Sequence, residues 1–215
     1  MNQETEKQAL LRALLKGSRE NASQVIKQFI DQDHTIIDLY EYLIKETMYE
    51  IGYLWETGKI SVATEHLASA IVENLMNEIY HLIATPEKKE DLAVICSIEN
   101  EQHQIGSKMV SDVYEMNNWN TRYLGANTPK NDLIHFVKSI NPKMLALSMS
   151  LFFHLPELES TLQTIKKELP GLLIIIGGQG LKHGSQDFLK NYQNVFYKPD
   201  LFSLDSFLKT QNQHD

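Results

Sequence analysis

The sequence predicts a two-part chain: an all-α four-helix bundle over residues 1–86, then an α/β domain over 87–215 built on a doubly wound, flavodoxin-like or Rossmann-like sheet of five parallel strands. Three observations predict it. Before Pro86 apolar residues recur at helical spacing. After it, short apolar runs alternate with amphipathic stretches, the signature of strands joined by crossover helices. Between the two lies a polar, proline-containing segment at 85–90, which reads as a hinge.

The first helix is carried by Leu10, Leu11, Leu14 and Leu15, and the second by Val25, Ile26, Phe29 and Ile30. The third follows Ile36, Ile37, Tyr40, Leu43, Ile44, Thr47, Met48 and Ile51. Ser61 is a good N-cap for a fourth, which runs through Leu67, Ile71, Leu75, Ile79 and Leu82 to about residue 84. Beyond the hinge, strands are expected near 92–98, 120–124, 143–148, 172–176 and 194–197. Helices are expected near 106–118, 129–140, 156–169, 183–191 and 202–210. Five strands with right-handed crossovers suggest the flavodoxin-like order 2-1-3-4-5, which sets strands 1, 3 and 4 side by side with the switch point between 1 and 3.

Composition narrows the function classes. The net charge of −8, with neither half basic, argues against direct specific DNA binding, which needs a basic face to offset phosphate. A single cysteine, Cys96, leaves no internal disulfide and no cysteine-rich zinc site. The N-terminus is polar and acidic, and no apolar run approaches the roughly 18 residues of a spanning helix. The expected location is therefore the cytoplasm, with no membrane association. The remaining histidines, His34, His81, His135, His154, His183 and His214, show no metal-site spacing and are read as surface or locally hydrogen-bonded residues.

Chemistry concentrates at strand ends. The run Leu92–Ile98 leads into Glu101, His103 and Gly106; Met144–Leu147 leads into Ser148 and Ser150; and Leu172–Ile176 leads into Gly177-Gly178. In an open α/β sheet the carboxyl ends of the strands hold the ligand. The order of strands brings the loops bearing His103, Ser148 and Gly177 together, and the glycines allow close backbone approach to a ligand.

These residues resemble the cobalamin-binding Rossmann-like domain of methionine synthases, corrinoid proteins and cobalamin-dependent regulators, with its Asp-x-His-x-x-Gly, Ser-x-Leu and Gly-Gly elements. Glu101 stands in the first position here, and Ser150 in place of the usual leucine. The resemblance implies that His103 is the lower cobalt ligand through one ring nitrogen. Glu101 then holds the other, directly or through one water, fixing its tautomer and strengthening it as a donor.

A second pattern lies in the bundle: Trp55, nine residues, then Glu65-His66. It is similar to the Trp-x9-Glu-His of light-dependent, adenosylcobalamin-binding repressors of the CarH type, without their winged-helix DNA-binding domain. The resemblance implies a cap for the upper face of the corrin, with Trp55 offering a flat apolar surface and Glu65 and His66 in the first turn of the fourth helix. Those repressors carry a histidine directly after the tryptophan, which takes cobalt after photolysis; here Glu56 stands there. The expected function is a non-catalytic cobalamin sensor, light-responsive and working through a protein partner or homo-oligomer. Adenosylcobalamin is favoured and methylcobalamin is possible. The alternative is a corrinoid methyl carrier of a methyltransferase system.

Overall fold

The computed structural model describes residues 3–83, 90–182 and 187–211. It divides into two compact units, Met1–Ile83 and Ala84–Asp215. The hinge expected at 85–90 falls, but for its last residue, outside the described residues.

In the first unit α1 spans Gln3–Leu15 and α2 spans Arg19–Ile30, the latter capped by Ser18, whose Oγ accepts from Asn21 N. The third helix, α3, is composite: an α-helical turn Ile36–Asp38, a π-helical stretch Leu39–Ile44 and an α-helical stretch Lys45–Glu56. Thr35 and Asp38 form a reciprocal capping box at its start, with Asp38 N donating to Thr35 Oγ1 at 3.1 Å and Thr35 N to Asp38 Oδ2 at 2.9 Å. The apolar pattern reads the same through the π turn, so the sequence gives no sign of it. Its effect is to bury Leu39, Tyr40, Leu43 and Ile44 together with Glu41, whose carboxylate pairs with Lys45. Helix α4, Val62–Glu78, starts at Ser61 as expected, with Thr64 N donating to Ser61 Oγ at 3.2 Å. It ends earlier than its apolar periodicity indicates and passes into a 3-10 turn, Tyr80–Leu82. Helix α1 packs on α2, α3 and α4 around Leu10, Leu14, Ile26, Phe29, Ile51 and Leu75, all buried.

The second unit is a five-stranded sheet with order β2-β1-β3-β4-β5 and every pairing parallel. Its strands are β1 Leu92–Ser97, β2 Asn120–Gly125, β3 Met144–Ser148, β4 Leu173–Gly177 and β5 Val195–Tyr197. The helices are α5 Ile105–Met116, α6 Lys130–Ile140, α7 Leu155–Glu168 and α8 Leu201–Gln211. Strands β1 and β3 are buried throughout or nearly so, as central parallel strands flanked by helices must be. The helix expected near 183–191 differs: its first four residues lie outside the described ones, and the rest is a single 3-10 stretch, Asp187–Asn191. Among the described residues no helix is long and apolar enough to cross a membrane.

Candidate functional site

Parallel register lines up the site before any side chain acts. Ser97 at the end of β1 pairs with Ser148 at the end of β3, which pairs with Gly177 at the end of β4. Three small residues therefore stand in a row at the carboxyl edge of adjacent strands. Gly106, in the first turn of α5, borders this row: a methyl group placed on it would lie 3.9 Å from Ser148 Oγ.

The loop from β1 into α5 is tied down on both sides. Asn100 adopts φ +68° and donates its N–H to Asn127 Oδ1 at 2.8 Å, while Asn127, at φ +48°, donates its own N–H to Glu101 O at 2.8 Å. Asparagine tolerates this left-handed backbone better than other residues with a side chain. From beneath, Ser97 Oγ donates to His103 O at 2.8 Å and lies 3.0 Å from Ser107 Oγ, while Tyr123 Oη donates to Gln104 O at 3.1 Å. Ser97, Asn100 and Asn127 were not legible as site residues. They act through turn geometry and hydroxyl bridges rather than through a motif.

Glu101 is the centre of the site. It is 0% exposed. Its Oε1 accepts from His103 N at 3.0 Å and His103 Nδ1 at 2.5 Å, so the contact between the two side chains is direct. Its Oε2 accepts from Ser150 N at 2.8 Å, Leu151 N at 3.0 Å and His154 Nδ1 at 3.2 Å. Burial pushes the carboxyl pKa up, but the bonds from His103, Leu151 and Ser150 outweigh it and hold the group down at about 2. Glu101 is thus a fixed anion.

The side chain of His103 is 50% exposed, unlike its carboxylate partner. With Nδ1 directed at Glu101, the nitrogen it offers to a metal is Nε2. Among the described residues no group of three or more His, Cys, Asp or Glu could hold a metal ion. A buried carboxylate on Nδ1 orients the ring, fixes its tautomer and strengthens the other nitrogen as a donor.

Ser150 contributes its backbone N–H, a role open to any residue but proline. Gly178 has a clear structural reason: at φ +110°, an added Cβ would sit 2.2 Å from Met149 O. Its lack of a side chain serves the close approach of the β3 and β4 loops. His154 departs furthest from the expected surface or locally hydrogen-bonded role: it is 7% exposed and bonded to Glu101 across 53 positions of sequence. No local spacing signals such a contact.

Trp55, Glu65 and His66 belong to the other unit. Trp55 is in the last turn of α3 and 44% exposed. Gly58, at φ +69°, turns the chain, and Lys59 N closes the helix end on Leu54 O at 2.8 Å. Glu65 is in the first turn of α4, its Oε1 accepting from Ser69 Oγ at 2.8 Å. His66 Nε2 lies 3.6 Å from Glu65 Oε2, and its side chain is exposed.

Two family models match the chain, each described as a B12 binding domain, one over residues 6–80 and the other over 92–198. The HTH-type transcriptional repressor CarH of Myxococcus xanthus is 26% identical over 142 residues, 65% of this chain and 46% of the repressor. The chain thus spans about half the length of that relative. Dimethylamine corrinoid protein 1 of Methanosarcina acetivorans is 23% identical over 135 residues, 61% of this chain and 63% of that protein. Among solved structures, the monomethylamine corrinoid protein of Methanosarcina barkeri matches with a TM-score of 0.80 at 14% identity, covering 98% of this chain and 100% of the other. At that identity the match speaks for the fold.

Proposed function

This chain belongs to the B12-binding domain family, and we propose that it is a cobalamin module that responds to the upper group on cobalt, and to light, by changing its contacts with a protein partner or a second copy. When bound, cobalamin supplies a cobalt whose upper group is exchangeable and, when alkyl, is released by visible light. In this reading His103 Nε2 would hold the cobalt, and Glu101 would fix the ring and its tautomer. Ser148, Gly106, Ser150, Gly177 and Gly178 form the small-residue edge beside it.

The observation that carries the sensing role is the bundle constellation. Trp55 presents an indole face from the end of α3, Glu65 is held by Ser69, and His66 presents an exposed imidazole from the start of α4. An indole face suits an adenosyl group, so adenosylcobalamin is the favoured form and methylcobalamin the other. Glu56 occupies the position of the repressors' upper histidine, so His66 is the imidazole this segment offers.

A methyl-carrier role is the second reading, favoured by the match to dimethylamine corrinoid proteins. Illumination separates the two. The adenosylcobalamin complex should differ in scattering profile or elution volume between dark and light, and Trp55→Ala should shrink that difference by half or more while cobalamin stays bound. A light-dependent spectrum with no change in shape or association would favour the carrier, which should then pass a methyl group to or from an added methyltransferase.

A further inference from the structure

Glu101 reaches its place through one strained residue. Asn100, directly before it, holds φ +68°, and its N–H donates to Asn127 Oδ1 at 2.8 Å. Left-handed backbone is sparsely populated outside glycine, so a contact must hold it there. That contact comes from the loop between β2 and α6. A β-bulge sends this loop across the end of β1: Ile95 pairs with Tyr123 but Cys96 with Gly125, so Leu124 is an extra residue, and Gly125 turns at φ +80°. Four hydrogen bonds then join the two loops: Asn127 N to Glu101 O at 2.8 Å, Thr128 N to Ser97 O at 3.3 Å, Lys130 N to Glu99 Oε2 at 3.4 Å, and the bond from Asn100. Three of them draw on backbone N–H groups of the β2–α6 loop, which any residue but proline supplies. Only the fourth needs a particular side chain of that loop, the acceptor of Asn127.

We propose that Asn127 is a positioning residue for the lower cobalt ligand: its Oδ1 keeps Asn100 left-handed, and Asn100 in turn sets the direction from which Glu101 meets His103. The proposal rests on the reading of His103 as the cobalt ligand. Asn127 reaches the site through main chain, so it governs geometry and leaves the charge of Glu101 unchanged. Without the acceptor, the N–H of Asn100 turns to solvent, since the residue is exposed, and its backbone relaxes to an ordinary conformation. The contact between Glu101 and His103 then holds for a smaller share of the time, and the imidazole sits less firmly on cobalt.

The test uses the full chain labelled with nitrogen-15. Loaded with hydroxocobalamin and reduced to Co(II), wild type should show a doublet splitting from His103 in its electron paramagnetic resonance spectrum, and its absence overturns the reading of His103 whatever Asn127 does. The effect of Asn127 is measured by loading with cyanocobalamin and adding cyanide, which displaces the lower ligand and changes the visible spectrum. Asn127→Gly removes Oδ1 and tolerates the φ of +48° at this position. It should lower the cyanide midpoint about fivefold, the scale of one ordinary hydrogen bond. In the cobalamin-free protein the His103 N–H, bonded to Glu101 Oε1, should exchange with solvent about fivefold faster, with the Ile175 amide in β4 unchanged. Asn127→Asp, which keeps the acceptor, should match wild type in both. If Asn127→Gly does not fold, Asn127→Ala supplies a second acceptor-free variant. An unchanged cyanide midpoint or unchanged His103 exchange in a folded acceptor-free variant overturns the proposal, as does an equal acceleration at Ile175 or an equal shift in Asn127→Asp.

Discussion

Glu101→Ala is expected to cost the second unit about 4 kcal/mol and to remove His103 from cobalt, the largest combined effect of any single change at the site. Five donors meet this carboxylate: three backbone N–H groups and two imidazole nitrogens. Breaking a buried charged network by removing one partner costs about 3–5 kcal/mol, because buried donors are left unpaired. Urea denaturation at neutral pH measures it, and a loss below about 1 kcal/mol would contradict this account of the site. The pH dependence carries a separate sign. The carboxyl lies near 2 in the fold against an ordinary 4.5. Its contribution is fully present above 4.5 and is lost as pH falls towards 2. Glu101→Gln should flatten that acid limb while lowering stability at neutral pH, since its amide turns a donor towards donors.

Gly178→Ala is expected to destabilise the same unit by about 3 kcal/mol or more, through strained backbone and overpacking together. The Cβ would lie 2.2 Å from Met149 O, 2.7 Å from its carbonyl carbon and 2.8 Å from its nitrogen, and backbone cannot yield as a side-chain tip can. Met149 is also held by Gly177 O and Gly180 N, both at 3.1 Å, so any relief moves the chain leading to Ser150 and Leu151 and loosens Glu101. A shift in urea midpoint equivalent to less than about 0.5 kcal/mol would mean that the β3 and β4 loops do not meet as described.

The strand-end chemistry was legible because two simple rules act together. Apolar runs mark buried strands, and the doubly wound order sets strands 1, 3 and 4 side by side, so the ends that carry Ser148 and Gly177 become neighbours without any side-chain knowledge. Less legible were features that leave the apolar pattern unchanged. The π turn at Leu39–Ile44 shifts hydrogen bonding but not hydropathy, and α4 gives way to a 3-10 turn while Ile79 and Ile83 remain buried. His154 was missed for another reason. Its partner is fixed by tertiary placement of the β3–α7 loop, and a histidine bonded across the sheet edge looks in sequence like any other.

The claim on which the rest depends is that His103 is the lower ligand of a bound cobalamin. It is tested by loading wild type and His103→Ala with cobalamin, reducing both to Co(II), and comparing visible absorption and nitrogen splitting at equal occupancy. With the protein labelled with nitrogen-15, a doublet splitting from His103 is expected in wild type and its loss in His103→Ala, where any remaining splitting is the triplet of cobalamin's own unlabelled benzimidazole. The same splitting and the same spectrum in both proteins would contradict it.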